Sequence, residues 1–194
     1  IARVRVDGLE PDTHYDFTVI VDGSPDTERG VGSVRTPALG AMSFRVAVSA
    51  CARIGSNGAV FDAIADSDPL LYLQLGDFHY GNLDGTDAAE FRAADERQLT
   101  QPGQAALYRD VPIAYVWDDH DYGPNDAGAD SPTRTAARTA YRQMVPHYPL
   151  VRTGDSPIQQ AFTIGRVRIV VTDNRSERTD ASMLGAAQER WLID

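Results

Sequence analysis

The apolar run that opens at Val111 ends abruptly in four ionisable residues, Asp118-Asp119-His120-Asp121. Within it, Ile113-Ala114-Tyr115-Val116-Trp117 has the length and the β-branched and aromatic content of a buried strand. A strand that delivers Asp-Asp-His-Asp at its carboxyl end gathers three carboxylates and an imidazole at close range. Like charges so placed oppose one another's ionisation, so the arrangement is unfavourable without a positive neighbour. A bound cation is the simplest remedy; a solvated acidic loop with a capping Asp is the plainer alternative. A second cluster of the same kind lies upstream, where the apolar run of residues 69–75 ends in Gly76-Asp77-Phe78-His79-Tyr80.

Around these two runs, strands and helices alternate in the manner of a layered α/β domain over residues 42–194. Residues 44–49 predict its first strand, which leads into Ala50-Cys51. Ser56-Asn57-Gly58 starts a helix through Phe61, Ile64 and Ala65. Asp87 and Glu90 have the spacing of a capping box for a helix to about Leu99. Ser131-Pro132 reads as an N-cap with Pro at the first helical position, ahead of Ala137, Ala140, Tyr141 and Met144 on one face. Residues 161–164 and 167–172, joined at Gly165-Arg166, predict a hairpin that ends at Asp173-Asn174-Arg175. A last helix, with Ala187, Trp191 and Leu192, starts near Leu184.

Residues 1–38 carry a different pattern, three β stretches at residues 3–6, 15–21 and 32–36. Between the first two, Leu9-Glu10-Pro11-Asp12-Thr13-His14-Tyr15 fits a tyrosine corner, in which the Tyr hydroxyl bonds back to the backbone at a turn. The segment resembles the last three strands of a fibronectin type III-like β-sandwich. Three strands are too few for two sheets, so the chain is expected to begin in mid-domain, with residues 37–41 as linker.

Composition narrows the partners. The 194 residues carry a net charge of −10 with no Lys/Arg-rich run, which argues against nucleic acid as a stable partner. No apolar stretch approaches the ~20 residues needed to cross a bilayer, and the first residues show no signal-peptide pattern. The single cysteine, Cys51, rules out an internal disulfide. On its own it would read as a small buried hydrophobe.

In sheets of this type ligands bind beyond the carboxyl ends of the strands. Four such ends carry Cys51; Asp77 with His79 and Tyr80; Asp118 to Asp121; and Asp173 to Arg175. Core packing or solubility would place polar groups on helix faces instead. Gly-Asp after the second strand, with an [Asn/Asp]-His-[Glu/Asp] end on a later one, resembles the calcineurin-like metallophosphoesterases. Cys after the first strand, Gly-Asp-x-x-Tyr after the second and Trp-Asp-Asp-His-Asp after the third are similar to the alkaline phosphatase D (PhoD-like) family, over about residues 44–194.

The resemblance implies a layered α/β/β/α domain of which residues 42–194 are the N-terminal part. The C-terminal half, with its late His ligands, is expected beyond Asp194. It implies metal-dependent hydrolysis of phosphate esters by a metal-activated hydroxide, with phosphodiesterase or phospholipase D activity and a catalytically silent metal-binding fragment as alternatives. Asp77 would bridge two ions, Cys51 and Tyr80 would hold the first, and Asp119 and Asn125 the second. The site would be dinuclear or trinuclear. Thiolate and phenolate favour Fe3+, with Ca2+ beside it and Zn2+, Mn2+ or Mg2+ as substitutes. His120 would protonate the leaving alkoxide or hold the phosphate in the transition state. Arg175 would clamp phosphate or pair with Asp173. Ser49 departs from the superfamily's first Asp and removes one carboxylate. The expected substrate is a small-molecule or lipid phosphate ester, and family habit implies a secreted, periplasmic or cell-surface protein.

Overall fold

The computed structural model describes residues 2–151 and 154–194. At its N-terminal end β1 (His14–Thr18), β2 (Ile20–Val21), β3 (Ser24–Pro25) and β4 (Val31–Arg35) form two antiparallel ladders, β1 with β4 and β2 with β3. Asp22 and Gly23 take φ of 50° and 80° between β2 and β3, the two-residue Asp-Gly turn whose twist matches a hairpin. The tyrosine corner is present: the Glu10 N–H donates to the Tyr15 hydroxyl at 2.8 Å. The expected strand at residues 3–6 does not form, because no neighbouring strand lies beside it among the described residues, and Val4 and Val6 stay exposed. Nor do the four strands close into a sandwich. The segment leans instead on the helix of residues 102–110. The Ser33 N–H and hydroxyl donate to Asp110 at 3.1 and 3.0 Å. A Cβ at Gly32 would fall 2.3 Å from the Arg109 carbonyl oxygen.

The α/β part follows as β5 (Val46–Ser49), α1 (Val60–Asp66), β6 (Leu71–Gln74), α2 (Ala88–Leu99), α3 (Pro102–Asp110), β7 (Ile113–Tyr115), α4 (Asp119–Tyr122), α5 (Arg134–Met144), β8 (Gln160–Ile164), β9 (Val167–Val171) and α6 (Gly185–Ile193). Strands β5, β6 and β7 make a parallel sheet in that order, registered Val46 on Leu71 and Tyr72 on Ile113. β8 and β9 form the expected hairpin at Gly165. Among the described residues no helix is long and apolar enough to cross a membrane.

Three local expectations change. α3 is new: its Pro at the start and its buried Gln104 and Leu107 make it a helix, although residues 102–110 carry too few apolar positions to show a helical period. Asp87 caps α2 by accepting from the Ala89 N–H at 2.8 Å, but Glu90 does not close the box. α5 begins at Arg134 rather than Pro132. The Ser131 hydroxyl bonds the Thr133 hydroxyl at 2.6 Å and so is not the cap.

The main core lies between the sheet, α2, α5 and the β8–β9 hairpin. It holds Phe78, Tyr115, Trp117 and Tyr122 together with the α5 face of Ala137, Ala140, Tyr141 and Met144. The Tyr141 hydroxyl donates to the Tyr115 carbonyl at 2.5 Å, which pins α5 to the end of β7. A smaller core of Phe61, Tyr72, Leu107 and Val111 seats α1 and α3 on the other side. Both cores hold the carboxyl ends of β5, β6 and β7 in fixed register.

Candidate metal centre

Pairing between β5 and β6 continues past the strand ends. The Cys51 N–H donates to the Gly76 carbonyl at 3.0 Å and the Ala52 N–H to the Asp77 carbonyl at 2.7 Å. Cys51, Gly76 and Asp77 all have positive φ, 62°, 102° and 51°. A left-handed residue breaks the alternation of a strand, and here it brings two side chains together: Cys51 Sγ lies 3.5 Å from Asp77 Oδ2. Such backbone costs about 1–3 kcal/mol per non-glycine residue and persists where function holds it. Cys51 is exposed, unlike an ordinary core cysteine. The Tyr80 hydroxyl joins the pair. Its hydrogen bond with Cys51, then burial, then Asp77, push its pKa well above the ordinary phenol value.

The end of β7 closes on the same point. A Cβ at Gly76 would lie 2.4 Å from Asp118 Cβ and 2.6 Å from the Asp118 nitrogen, so only glycine lets the two strand ends approach. Asp118 to Asp121 then disperse, because α4 starts at Asp119 and a helix turns successive side chains apart. Asp119 and His120 face the site: together with Asp77 they offer ligand atoms all within 4.8 Å of one another. Asp118 turns to Arg175. Asp121 turns into the core, where its Oδ1 accepts the His79 N–H at 2.9 Å and burial pushes its pKa up to about 7.

Each site residue has a defined setting. Asp77 is buried, and its Oδ1 has no hydrogen-bond partner among the described residues. Burial would raise the pKa of Asp119. The Asp126 N–H at 2.6 Å and the Arg175 guanidinium, 3.2 Å from Oδ1, outweigh this and hold it below the usual carboxylate value. His120 places Nδ1 2.6 Å from Asn82 Oδ1. A carbonyl oxygen can only accept, so Nδ1 carries the proton and Nε2 is the lone-pair nitrogen. The His120 ring also lies over Tyr80, with centroids 4.4 Å apart.

Arg175 splits its guanidinium between two carboxylates, Nε to Asp118 and Nη2 to Asp119. Asp173 takes the Arg175 main-chain N–H at 3.0 Å. The strand-end pairing therefore exists through the backbone, and the guanidinium stays with the site. Arg175 Nη1 is buried and unpartnered among the described residues. Asn125 is exposed and its amide nitrogen donates to Asp126 at 2.8 Å. It sits on the loop whose Asp126 N–H holds Asp119.

Sequence reasoning missed Asn82, Asp126 and Asp95. Asn82 and Asp126 act through loop conformations with positive φ, 46° and 62°, which no spacing announces. Asp95 lies on α2, buried beside His79 with its carboxylate 3.8 Å from Nε2. Its burial inside a charged helix segment is visible only in three dimensions.

The chemistry of the set is that of a cation site. Two carboxylates and an imidazole converge, a thiol and a phenol adjoin through Asp77, and one carboxylate oxygen is buried without a donor. A buried acceptor so placed is costly unless something positive meets it. No protein-family model matches the chain, and no curated protein does. A solved structure of PhoD matches it with a TM-score of 0.79, at 21% identity, over 96% of this chain and 45% of that one. The chain thus spans less than half the length of that structure. The likeness is one of fold alone.

Proposed function

We propose that the chain carries part of the active site of a metal-dependent phosphoesterase of the alkaline phosphatase D kind, acting on phosphate monoesters. Residues 42–194 would be the N-terminal part of the catalytic domain and residues 1–38 part of an ancillary β domain. The observation that carries this is the convergence of Asp77, Asp119 and His120, with one buried Asp77 oxygen unpartnered among the described residues.

Asp77, Cys51 and Tyr80 would hold one ion, and Asp77, Asp119 and the Asn125 amide oxygen a second. Thiolate and phenolate suit ferric iron, and the all-oxygen set suits calcium. Bound there, the cations would neutralise charge on the phosphoryl oxygens and make water acidic enough to attack phosphorus. The residues of the chain supply the rest. Asn82 fixes the His120 tautomer, and in its protonated form Nε2 would give its proton to the leaving oxygen. Arg175 pairs with both Asp118 and Asp119, and its Nη1, unpartnered among the described residues, would be a donor for a phosphate oxygen.

Metal analysis and turnover of nitrophenyl phosphate and bis(nitrophenyl) phosphate, measured side by side, test the reading. The expected result is bound metal with faster monoester than diester hydrolysis, both lost in Asp77→Ala. Diester preference would shift the assignment to a phosphodiesterase or phospholipase D. Bound metal without turnover of either ester would leave a metal-binding module. An Asp77→Ala variant with unchanged metal and activity would overturn the site.

A further inference from the structure

Asp173, just beyond β9, is wholly buried. Its Oδ1 accepts from the Trp117 indole N–H at 2.8 Å and from the main-chain N–H groups of Arg175 and Ser176, both at 3.0 Å. Its Oδ2 accepts from the Ile158 N–H at 2.9 Å and the Ser176 hydroxyl at 2.5 Å. Its own backbone is clasped by Gln188 of α6, the N–H donating to Gln188 Oε1 at 2.7 Å and the carbonyl accepting from Nε2 at 2.8 Å. A buried carboxylate is expensive, and packing alone is served better by apolar side chains. This one gathers donors from three stretches of chain, and two of those donors bear on the candidate site.

The Trp117 indole is held on Asp173 Oδ1, and Trp117 is followed directly by Asp118 and Asp119. The Arg175 backbone is held on the same oxygen. The two halves of the Arg175–Asp118–Asp119 contact are thus referred to a single atom, while the ring of Trp117 packs edge-on to Tyr141 and under the Arg138 guanidinium. We infer that Asp173 is the positioning residue for Arg175: it sets where the guanidinium meets Asp118 and Asp119 and where the unpartnered Nη1 is presented. That Nη1 receives a phosphate oxygen rests on the proposed phosphoesterase reading; the positioning itself does not.

Trp117→Phe is the main probe, since it deletes one donor to Asp173 and keeps an aromatic ring in the core. Asp173→Asn is the stronger probe if it folds. In the metal-loaded protein the Arg175 Nε–H resonance should lose its protection from solvent exchange in Trp117→Phe, with metal content unchanged. Inhibition by inorganic phosphate should weaken about three- to ten-fold, a part of what one hydrogen bond to a charged group is worth. In an Arg175→Ala background, Trp117→Phe should change phosphate inhibition by less than about two-fold, because residues that act through one another are not additive. A protected Arg175 resonance in Trp117→Phe, or equal losses with and without Arg175, would overturn the positioning role. If the unsubstituted protein binds metal but not phosphate, the phosphoesterase reading falls, and the Arg175 resonance still decides the positioning on its own.

Discussion

His120 can act as an acid only through Nε2, because Nδ1 keeps its proton in a hydrogen bond donated to Asn82 Oδ1, 2.6 Å away. The same geometry would let Nε2 bind a cation, since its ligand atom lies with those of Asp77 and Asp119. Leaving-group dependence separates the two roles. For His120→Asn we expect metal content to hold, because Cys51, Asp77, Tyr80 and Asp119 supply other donors. Hydrolysis of alkyl phosphates should slow by roughly 10²–10⁴-fold, the worth of a positioned general acid. The loss should shrink for nitrophenyl phosphate, whose leaving group needs little protonation. A uniform loss would reduce His120 to a phosphate-positioning group, and loss of metal would make it a ligand. At this scale the closeness of Asp77, Asp119 and His120 was legible, since adjacent parallel strands end side by side. It could not name Asn82, whose part depends on one left-handed loop residue.

At the scale of elements, the site is a product of how strands end. β6 stops at Gln74, and past Leu75 both Gly76 and Asp77 turn left-handed so that Asp77 reaches Cys51 while the Asp118 backbone passes close by. Gly76→Ala would force a side chain at φ 102° into contact with Asp118 at 2.4 Å. We expect a loss of about 1–3 kcal/mol from backbone strain alone, with weakened metal binding because Asp77 and Asp119 move apart. Denaturant midpoints and metal titration on the same variant check both. Unchanged metal affinity in a destabilised Gly76→Ala would show that the two strand ends need not touch for the site to form. The β7 run was legible because β-branched and aromatic residues crowd it, and the β6 run because it is a short, leucine-rich apolar stretch between Pro69 and Gly76. α4 was not, since four residues of Asp-His-Asp-Tyr show no period, and that short helix is what sends Asp121 into the core and Asp119 toward the candidate site. The strand expected at residues 3–6 failed for the opposite reason: alternation describes a strand that has a partner, and none lies beside it among the described residues.

At the scale of the whole molecule, the layered order of strands and helices followed from patterning, but the interior polar cluster behind the site did not. His79, Asp95 and Asp121 lie together between the 77–80 loop, α2 and α4, with His79 Nδ1 accepting from the Gly81 N–H at 3.1 Å. Burial lowers His79 to about 4 and raises Asp95 to about 8 and Asp121 to about 7. The linkage has opposite signs. Between about pH 4 and 6.5 the unfolded chain protonates His79 and the native one does not, so this residue makes stability rise with pH. From about 3.8 upward the native chain keeps protons on Asp121, to about 7, and on Asp95, to about 8, that the unfolded chain has released. These two make stability fall as pH rises. Above pH 6.5 the His79 contribution is flat and only the decline remains. The metal-free protein should therefore lose stability from pH 6.5 to 8, with Asp95 responsible for the last part of the fall. Asp95→Asn keeps the shape without the charge. It should leave stability at pH 4 nearly unchanged, where native Asp95 is already neutral, and raise it at pH 9 by about 1–3 kcal/mol, the usual penalty of an unsatisfied buried polar group. Urea unfolding of both proteins in chelator at pH 4, 7 and 9 measures this. Parallel profiles would mean that Asp95 ionises freely in the native state and that the cluster is wetter than its packing implies.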